Sequence, residues 1–310
     1  MTVKLALPPE RQGRLPPAEL AKQRAQFAAA VAAGTWKTER SPLETTLGKC
    51  RILRFRPESE ARGRVLHFHG GGFRLGGPEF EGPFAEALAR RCQVEVIAPQ
   101  YRLAPEHPFP AALVDAYACL EALRDDASAD TPLIVSGDSA GAGLAASLGV
   151  LDSTSADPRI DGVVLLSPWL DLTVSAPSYT ANADLDSMFS KAAAESACDL
   201  YLQGFDPLHP LVSPLHASFS TYPPTFINVG SGEVLLDDSR RFHEKLQTKD
   251  LCSILDIIEG MQHIAVVRGI DLWGAREAFA RIASFIDSIV AGAGKSSEGE
   301  GTMLTRRTPT

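Results

Sequence analysis

The sequence predicts an α/β fold: a mostly parallel central sheet flanked by helices and interrupted once by a helical insertion. Three observations carry this expectation. Short apolar runs alternate with helical stretches of about 10 to 15 residues, the rhythm of βαβ units. The apolar run Pro132-Leu133-Ile134-Val135 leads into Gly137-Asp138-Ser139-Ala140-Gly141, and a small-residue helix follows directly, so a G-x-S-x-G pattern sits between a strand and a helix. Residues 168–222 then break the alternation, with prolines at 168, 177, 207, 210 and 214.

Each element follows from local pattern. Residues 16–33 form an alanine-rich helix opened by prolines and closed by Gly34. Leu47 to Phe55 holds the first strands, and 64–69 is a buried strand. A helix over 78–91 starts after Gly76-Gly77, and Val94 to Ala98 is a short strand. Phe109 to Leu123 has apolar residues at helical spacing. Strand 132–136 and helix 140–151 flank the serine, and Gly162 to Ser167 is a further strand. Within the insertion, helices are expected near 176–188 and 191–203. The sheet resumes at Thr225 to Val229, followed by helix 235–248, strand 252–258 and a final helix over 271–290. Residues 291–310 lack apolar periodicity and are expected to be a disordered tail. The expected organisation is therefore N-terminal cap helices at 1–45, a core of 46–167 with 223–290, a cap insertion at 168–222, and the tail.

Bulk properties narrow the partners. The net charge is −8, from 38 acids against 30 bases, and no basic block occurs, which argues against nucleic acid or an anionic membrane surface. The first residues lack a charged segment followed by an apolar one, and no stretch reaches transmembrane length, so a cytoplasmic location is expected. The 5 cysteines (Cys50, Cys92, Cys119, Cys198, Cys252) show no C-x-x-C or Cys/His ligand spacing and read as reduced thiols. No H-x-x-x-H pattern appears, so no metal is expected.

Two glycine clusters carry the chemistry. At 137–141 the strand-to-helix turn is tight enough that side chains two positions either side of Ser139 would collide with backbone, which calls for glycine. The turn lifts the Ser139 hydroxyl clear of the sheet. Upstream, the strand Arg64-Val65-Leu66-His67-Phe68 runs into His69-Gly70-Gly71-Gly72-Phe73. Backbone N–H groups that stabilise a tetrahedral oxyanion must approach it without a Cβ in the way. Gly71 and Gly72, with Ala140 after the serine, are the expected donors.

HGGGF at 69–73, YRLAPE at 101–106 with HPFPAA at 107–112, and GDSAG at 137–141 together resemble the bacterial hormone-sensitive-lipase-like (family IV) carboxylesterases of the α/β-hydrolase superfamily. The resemblance spans about residues 45 to 290, with the motifs in order. It implies an α/β-hydrolase fold with a helical cap, a Ser–His–acid triad, a small-molecule ester substrate and no cofactor. It also implies that the N-terminal helices belong to the cap, that His69 braces the oxyanion loop, and that two copies pair as a homodimer through the last strand and helix.

In this superfamily the acid and then the histidine follow the serine in the chain. Of the 7 histidines, only His263 lies in the loop after the last strand. His67 falls on a buried strand, His107 follows YRLAPE, His209 and His216 lie in the insertion, and His243 is on a helix. The acid has two candidates. Glu233 stands at the carboxyl end of its strand, where the family usually has aspartate. Asp237 and Asp238 lie in the first turn of helix 235–248, where carboxylates complement the helix dipole. Position favours Glu233. Asp138 is expected to bind backbone or cap, and Arg102 with Glu106 to form a structural pair. Phe73, Met188, Phe189, Tyr201, Phe205 and Phe219 are candidate walls of an apolar substrate pocket.

The expected function is hydrolysis of short- to medium-chain acyl esters through a covalent acyl-enzyme. The same triad serves a deacetylase or a lactone hydrolase of a particular metabolite. A non-catalytic binding protein of this fold typically lacks the histidine, whereas Ser139, His263 and an acid are all present here.

Overall fold

Eight strands form one sheet in the computed structural model, which describes residues 5–124 and 131–293. The chain begins with α1 (Ala18–Ala32), β1 (Leu43–Leu47), β2 (Cys50–Phe55) and β3 (Arg64–Phe68). It continues through α2 (Gly82–Cys92), β4 (Glu95–Pro99), α3 (Ala111–Arg124), β5 (Leu133–Asp138), α4 (Ala140–Asp152) and β6 (Gly162–Leu166). The insertion holds α5 (Ser178–Ala181), α6 (Lys191–Leu202) and a 3₁₀ turn at Pro214–His216. Then come β7 (Thr225–Gly230), α7 (Leu236–Gln247), β8 (Ser253–Ile258), α8 (Ala265–Arg268) and α9 (Ala275–Ala293).

The strand order is β1-β2-β4-β3-β5-β6-β7-β8. β2 pairs antiparallel with β1 and β4, and every pairing from β4 through β8 is parallel. Period-2 alternation sends successive side chains of a strand into opposite layers. Leu133 and Val135 of β5 join a core with α3, α4 and α7, while Ile134 joins one with α2, α8 and α9. Strands covered on both faces favour apolar residues, which explains the hydrophobic stretches Val65-Leu66, Val96-Ile97-Ala98, Leu133-Ile134-Val135 and Val163 to Leu166 in β3 to β6. The chain direction reverses its order across the sheet between β3 and β5, the point at which parallel α/β sheets open a crevice beyond their carboxyl ends.

Five elements depart from the sequence expectation, and the first is β1, which spans Leu43–Leu47, ahead of the expected start at Leu47 and partly inside the segment expected to hold cap helices. The helix expected over 176–188 is only Ser178–Ala181. Short polar side chains there bond backbone and compete with helix: Asp186 Oδ1 accepts from the amides of Met188 and Phe189, and Asn182 donates to the carbonyl of Glu233. The helix expected from 78 starts at Gly82, because Gly77 to Glu79 are spent on two turns. The last helix starts at Ala275, after Gly274 at φ +76°, and the short α8 precedes it. It also runs on to Ala293, three residues into the expected tail, and residues 294–310 lie outside the described residues.

The N-terminal segment is clamped onto the rest of the chain. Arg24 donates to the carbonyls of Arg74 and Ala104 and pairs with Glu106. Arg11 donates to the carbonyls of Leu202 and Gln203 at the end of α6. Arg102 binds Asp115 and Glu10, so the expected Arg102–Glu106 pair does not form. No helix of the described residues is long and apolar enough to cross a membrane.

Candidate active site

The carboxyl ends of β3, β5, β6, β7 and β8 lie side by side, because the pairings Phe68↔Gly137, Asp138↔Leu166, Leu166↔Asn228 and Gly230↔Ile258 keep the strands in step. The loops leaving those ends therefore converge. Ser139 follows β5 with φ +52° and ψ −118°, a conformation that costs of order 1–3 kcal/mol and persists only where surroundings enforce it. The enforcement is local. A Cβ on Gly141 would lie 2.0 Å from the Phe68 carbonyl oxygen, and one on Gly137 would lie 2.4 Å from the carbonyl of Gly141.

A relay runs from β7 to the serine. Glu233 Oε2 is 2.7 Å from His263 Nδ1, and His263 Nε2 is 3.1 Å from Ser139 Oγ. Glu233 Oε1 accepts from the Gly230 amide (2.6 Å) and from Ser167 Oγ (2.9 Å). Ser167 Oγ in turn accepts from the Ile264 amide at 3.0 Å, tying the histidine loop to β6. Phe189 stacks on the His263 ring, with centroids 5.7 Å apart. Burial lowers the His263 pKa, but the hydrogen bond and charge of Glu233, aided by Asp186 and Asp138, outweigh it and hold the imidazole above the ordinary histidine value.

That direction fixes a pH response. A histidine that takes a serine proton must be neutral, so with His263 in that role activity is expected to fall as pH drops through its pKa. The acid limb of kcat/KM is expected above 6.5, the value of an unperturbed histidine. In Glu233→Gln only burial acts strongly, and the limb moves to lower pH. A limb that stays in place would show that another group sets it.

Asp237 and Asp238 point elsewhere. Asp237 accepts from the Ser178 amide, and Asp238 accepts from the amides of Leu170 and Asp171. Both carboxylates thus fasten the start of the insertion to α7, a task beyond the dipole role expected of them.

On the opposite side of Ser139 lies the HGGG turn. Gly71 has φ +101°, and a Cβ there would meet the Leu75 carbonyl oxygen at 2.0 Å. Gly70, Gly71, Gly72 and Ser139 face one cavity. Among the described residues, the N–H groups of Gly71, Gly72 and Ala140 make no loop or turn hydrogen bond to backbone. His69 Nδ1 donates to the Gly70 carbonyl at 2.7 Å, and its ring stacks on Tyr101 at 4.2 Å. Burial drops its pKa to about 4, so it is neutral at working pH. Gly71→Ala is expected to displace the turn and cut kcat by about 100- to 1,000-fold, the usual cost of losing an oxyanion donor. Activity within threefold of wild type would remove Gly71 from that role.

The cavity has a volume of about 390 Å³. Met188 and Phe189 line it, as does Ala193 of α6. The other four candidate wall residues do not. Phe73 is buried and stacks on Tyr201 at 3.9 Å, and Tyr201 packs against Phe109. Phe205 packs on Phe109 and His209, and Phe219 on Tyr222 and Phe242. These four side chains close the core beneath the insertion, where an aromatic excludes more water than it would at an open wall. Gln23 and Phe27 place α1 on the wall, as the sequence led one to expect of the N-terminal helix, while Trp36, Arg74 and Phe80 are wall residues that it did not indicate. Phe27 stacks on Trp36, and Trp36 meets Phe80 edge-on.

Beneath the elbow is a buried cluster that no sequence spacing signals. His67, Glu81 and Asp138 bring ligand-type atoms within 4.8 Å of one another. His67 Nε2 is 3.1 Å from Glu81 Oε2, and its Nδ1 is 3.0 Å from Ser136 Oγ. Burial pushes Glu81 up to about 8 and Asp138 well above the carboxylate range, while His67 falls to about 4. Two carboxyls this close hold a proton between them more readily than two charges.

Comparison with known proteins agrees with this geometry. Residues 65–267 match the family model described as the α/β hydrolase fold. The chain belongs to the α/β-hydrolase family. The hydrolase is 35% identical to an esterase of Acinetobacter venetianus over 75% of this chain and 77% of that protein. It is 36% identical to an acetyl-hydrolase of Streptomyces hygroscopicus over 64% of this chain and 67% of that one. A solved esterase of the bacterial hormone-sensitive lipase family superposes with a TM-score of 0.83 at 28% identity, covering 89% of this chain and 93% of that chain. The hydrolase is thus a hormone-sensitive-lipase-like carboxylic ester hydrolase acting on small-molecule esters.

Proposed function

We propose that this hydrolase cleaves short- to medium-chain acyl esters through a Ser139–His263–Glu233 triad and a covalent acyl-enzyme. The observation that carries the reading is the unbroken relay Glu233–His263–Ser139 opening onto a largely apolar cavity. Neutral His263 takes the Ser139 proton as Oγ attacks the ester carbonyl, and Glu233 holds the tautomer and stabilises the imidazolium. The amides of Gly71, Gly72 and Ala140 receive the oxyanion, with His69 bracing their turn and Asp138 supporting it from below. His263 then protonates the leaving alcohol, and water repeats the sequence on the acyl-enzyme. A cavity of about 390 Å³ is at the small end of ligand sites, which run from about 300 to 1,000 Å³, and this supports shorter acyl groups.

In this reading, segments 1–45 and 168–222 act as a cap over a catalytic core of 46–167 and 223–290, except that residues 43–45 belong to β1 of the core sheet. Residues of both segments line the cavity, which supports the division. Five free thiols support a reducing, cytoplasmic setting. A homodimer through β8 and α9 is supported by β8 being an edge strand with Ile257 exposed.

The test is a stopped-flow series of p-nitrophenyl esters from acetate to laurate, with mass spectrometry after treatment with a phosphonate. A burst of about one equivalent, turnover highest at the short chains and a single adduct on Ser139 are expected. Stable binding of esters without a burst or adduct would overturn the enzymatic reading.

A further inference from the structure

We propose that Arg74 is a specificity-determining residue, selecting esters that carry a carboxylate remote from the scissile bond. The proposal rests on the ester-hydrolase reading and narrows its substrate class. Arg74 lies in the turn following HGGGF and lines the same cavity as Ser139. Its Nε would be 3.6 Å from a Cβ placed on Gly72, so the guanidinium borders the oxyanion turn. It is the one lysine or arginine among the cavity's lining residues.

Among the described residues, no acceptor engages its side chain. Carboxylates of the neighbouring segments are paired with other arginines. Arg24 reaches past Arg74, donating to its backbone carbonyl, and pairs with Glu106 at 2.6 Å. Glu79 pairs with Arg51 at 2.8 Å. Glu81 and Asp138 reach the cavity floor, but burial raises both above the usual carboxylate range, so they offer little opposing charge. Partial burial also lowers the Arg74 pKa, the sign of a cation with no compensating anion.

A half-buried guanidinium without a partner is unfavourable in the free protein, and its planar fork fits a carboxylate through two parallel hydrogen bonds. The rest of the wall, Phe27, Trp36, Phe80 and Met188, is apolar, so the ligand suited to this space has an apolar body and one acidic end. A substrate of this kind gains its charge pairing only when the body already fills the cavity.

The experiment compares kcat/KM for matched anionic and neutral esters in wild type, Arg74→Met and Arg74→Lys. One pair carries the charge on the acyl side, p-nitrophenyl hydrogen adipate against p-nitrophenyl hexanoate. The other carries it on the alcohol side, 4-carboxyphenyl butyrate against phenyl butyrate. In at least one pair, Arg74→Met is expected to lower the anionic-to-neutral ratio by about 10- to 100-fold, the effect of losing a charged hydrogen bond. Arg74→Lys should keep part of that preference, having the charge but not the fork. The pair that responds identifies the side of the ester that faces Arg74. If the neutral esters turn over and neither ratio changes, the Arg74 assignment is overturned while the esterase reading stands. If wild type turns over none of the four, the esterase reading fails and the assignment falls with it.

Discussion

Ser139→Ala will lower kcat by about a hundred-thousand- to a million-fold, and His263→Ala will cost nearly as much. The serine is weak without its base, and the base has no proton to accept without the serine. The two losses are therefore far from additive, and the double variant is expected to be no worse than either single one. Little of the loss can come from unfolding. Ser139 Oγ has His263 as its described hydrogen-bond partner, and alanine in its place leaves the strand–turn–helix backbone intact. Single-turnover release of p-nitrophenol at saturating ester separates the chemical step from binding. A Ser139→Ala variant within 100-fold of wild type would show that water, activated elsewhere, attacks the ester directly.

Glu233→Gln is the second large effect, with kcat falling by about a thousand- to ten-thousand-fold. The amide keeps the shape and can still accept from Gly230 and Ser167 through its oxygen. The atom facing His263 Nδ1 then becomes an NH2 group, which cannot accept the imidazole proton. The wrong tautomer is favoured and the imidazolium loses its counter-charge. Asp237→Asn should change kcat only a few-fold, since Asp237 bonds the Ser178 amide and not His263. If Asp237→Asn is instead the severely impaired variant and Glu233→Gln is not, the acid has been misassigned.

The parts of this site that were legible in the sequence are those fixed by backbone geometry. A serine between glycines after an apolar run requires a tight turn, and three glycines after another strand require an exposed one. Glu233 and His263 were legible by position, because each follows a strand whose carboxyl end must face the same crevice. The wall segments, α1 and the insertion, were legible, but most of the individual wall residues were not. An aromatic residue on a helix looks the same in sequence whether it points into a core or a cavity. Tyr201 of α6 packs inward against Phe73, while Ala193 of the same helix, far smaller, borders the open space. Phe27, Trp36 and Phe80 come together from separate segments, and nothing in their spacing announces it. Arg74 carries no sequence signal, since a lone arginine in a turn is ordinarily a solvated one.

Ser139, Glu233 and His263 follow the carboxyl ends of the strands, whereas much of the space around them is walled by α1, Trp36 and the insertion. Evolution can therefore tinker with appetite while leaving the machinery alone. Among the described residues, Phe27, Trp36, Phe80 and Met188 make no side-chain hydrogen bond to Ser139, His263 or Glu233, so exchanges there are expected to change which esters fit more than the relay itself. For the engineer, a library confined to those few positions explores new substrates at small risk to the fold.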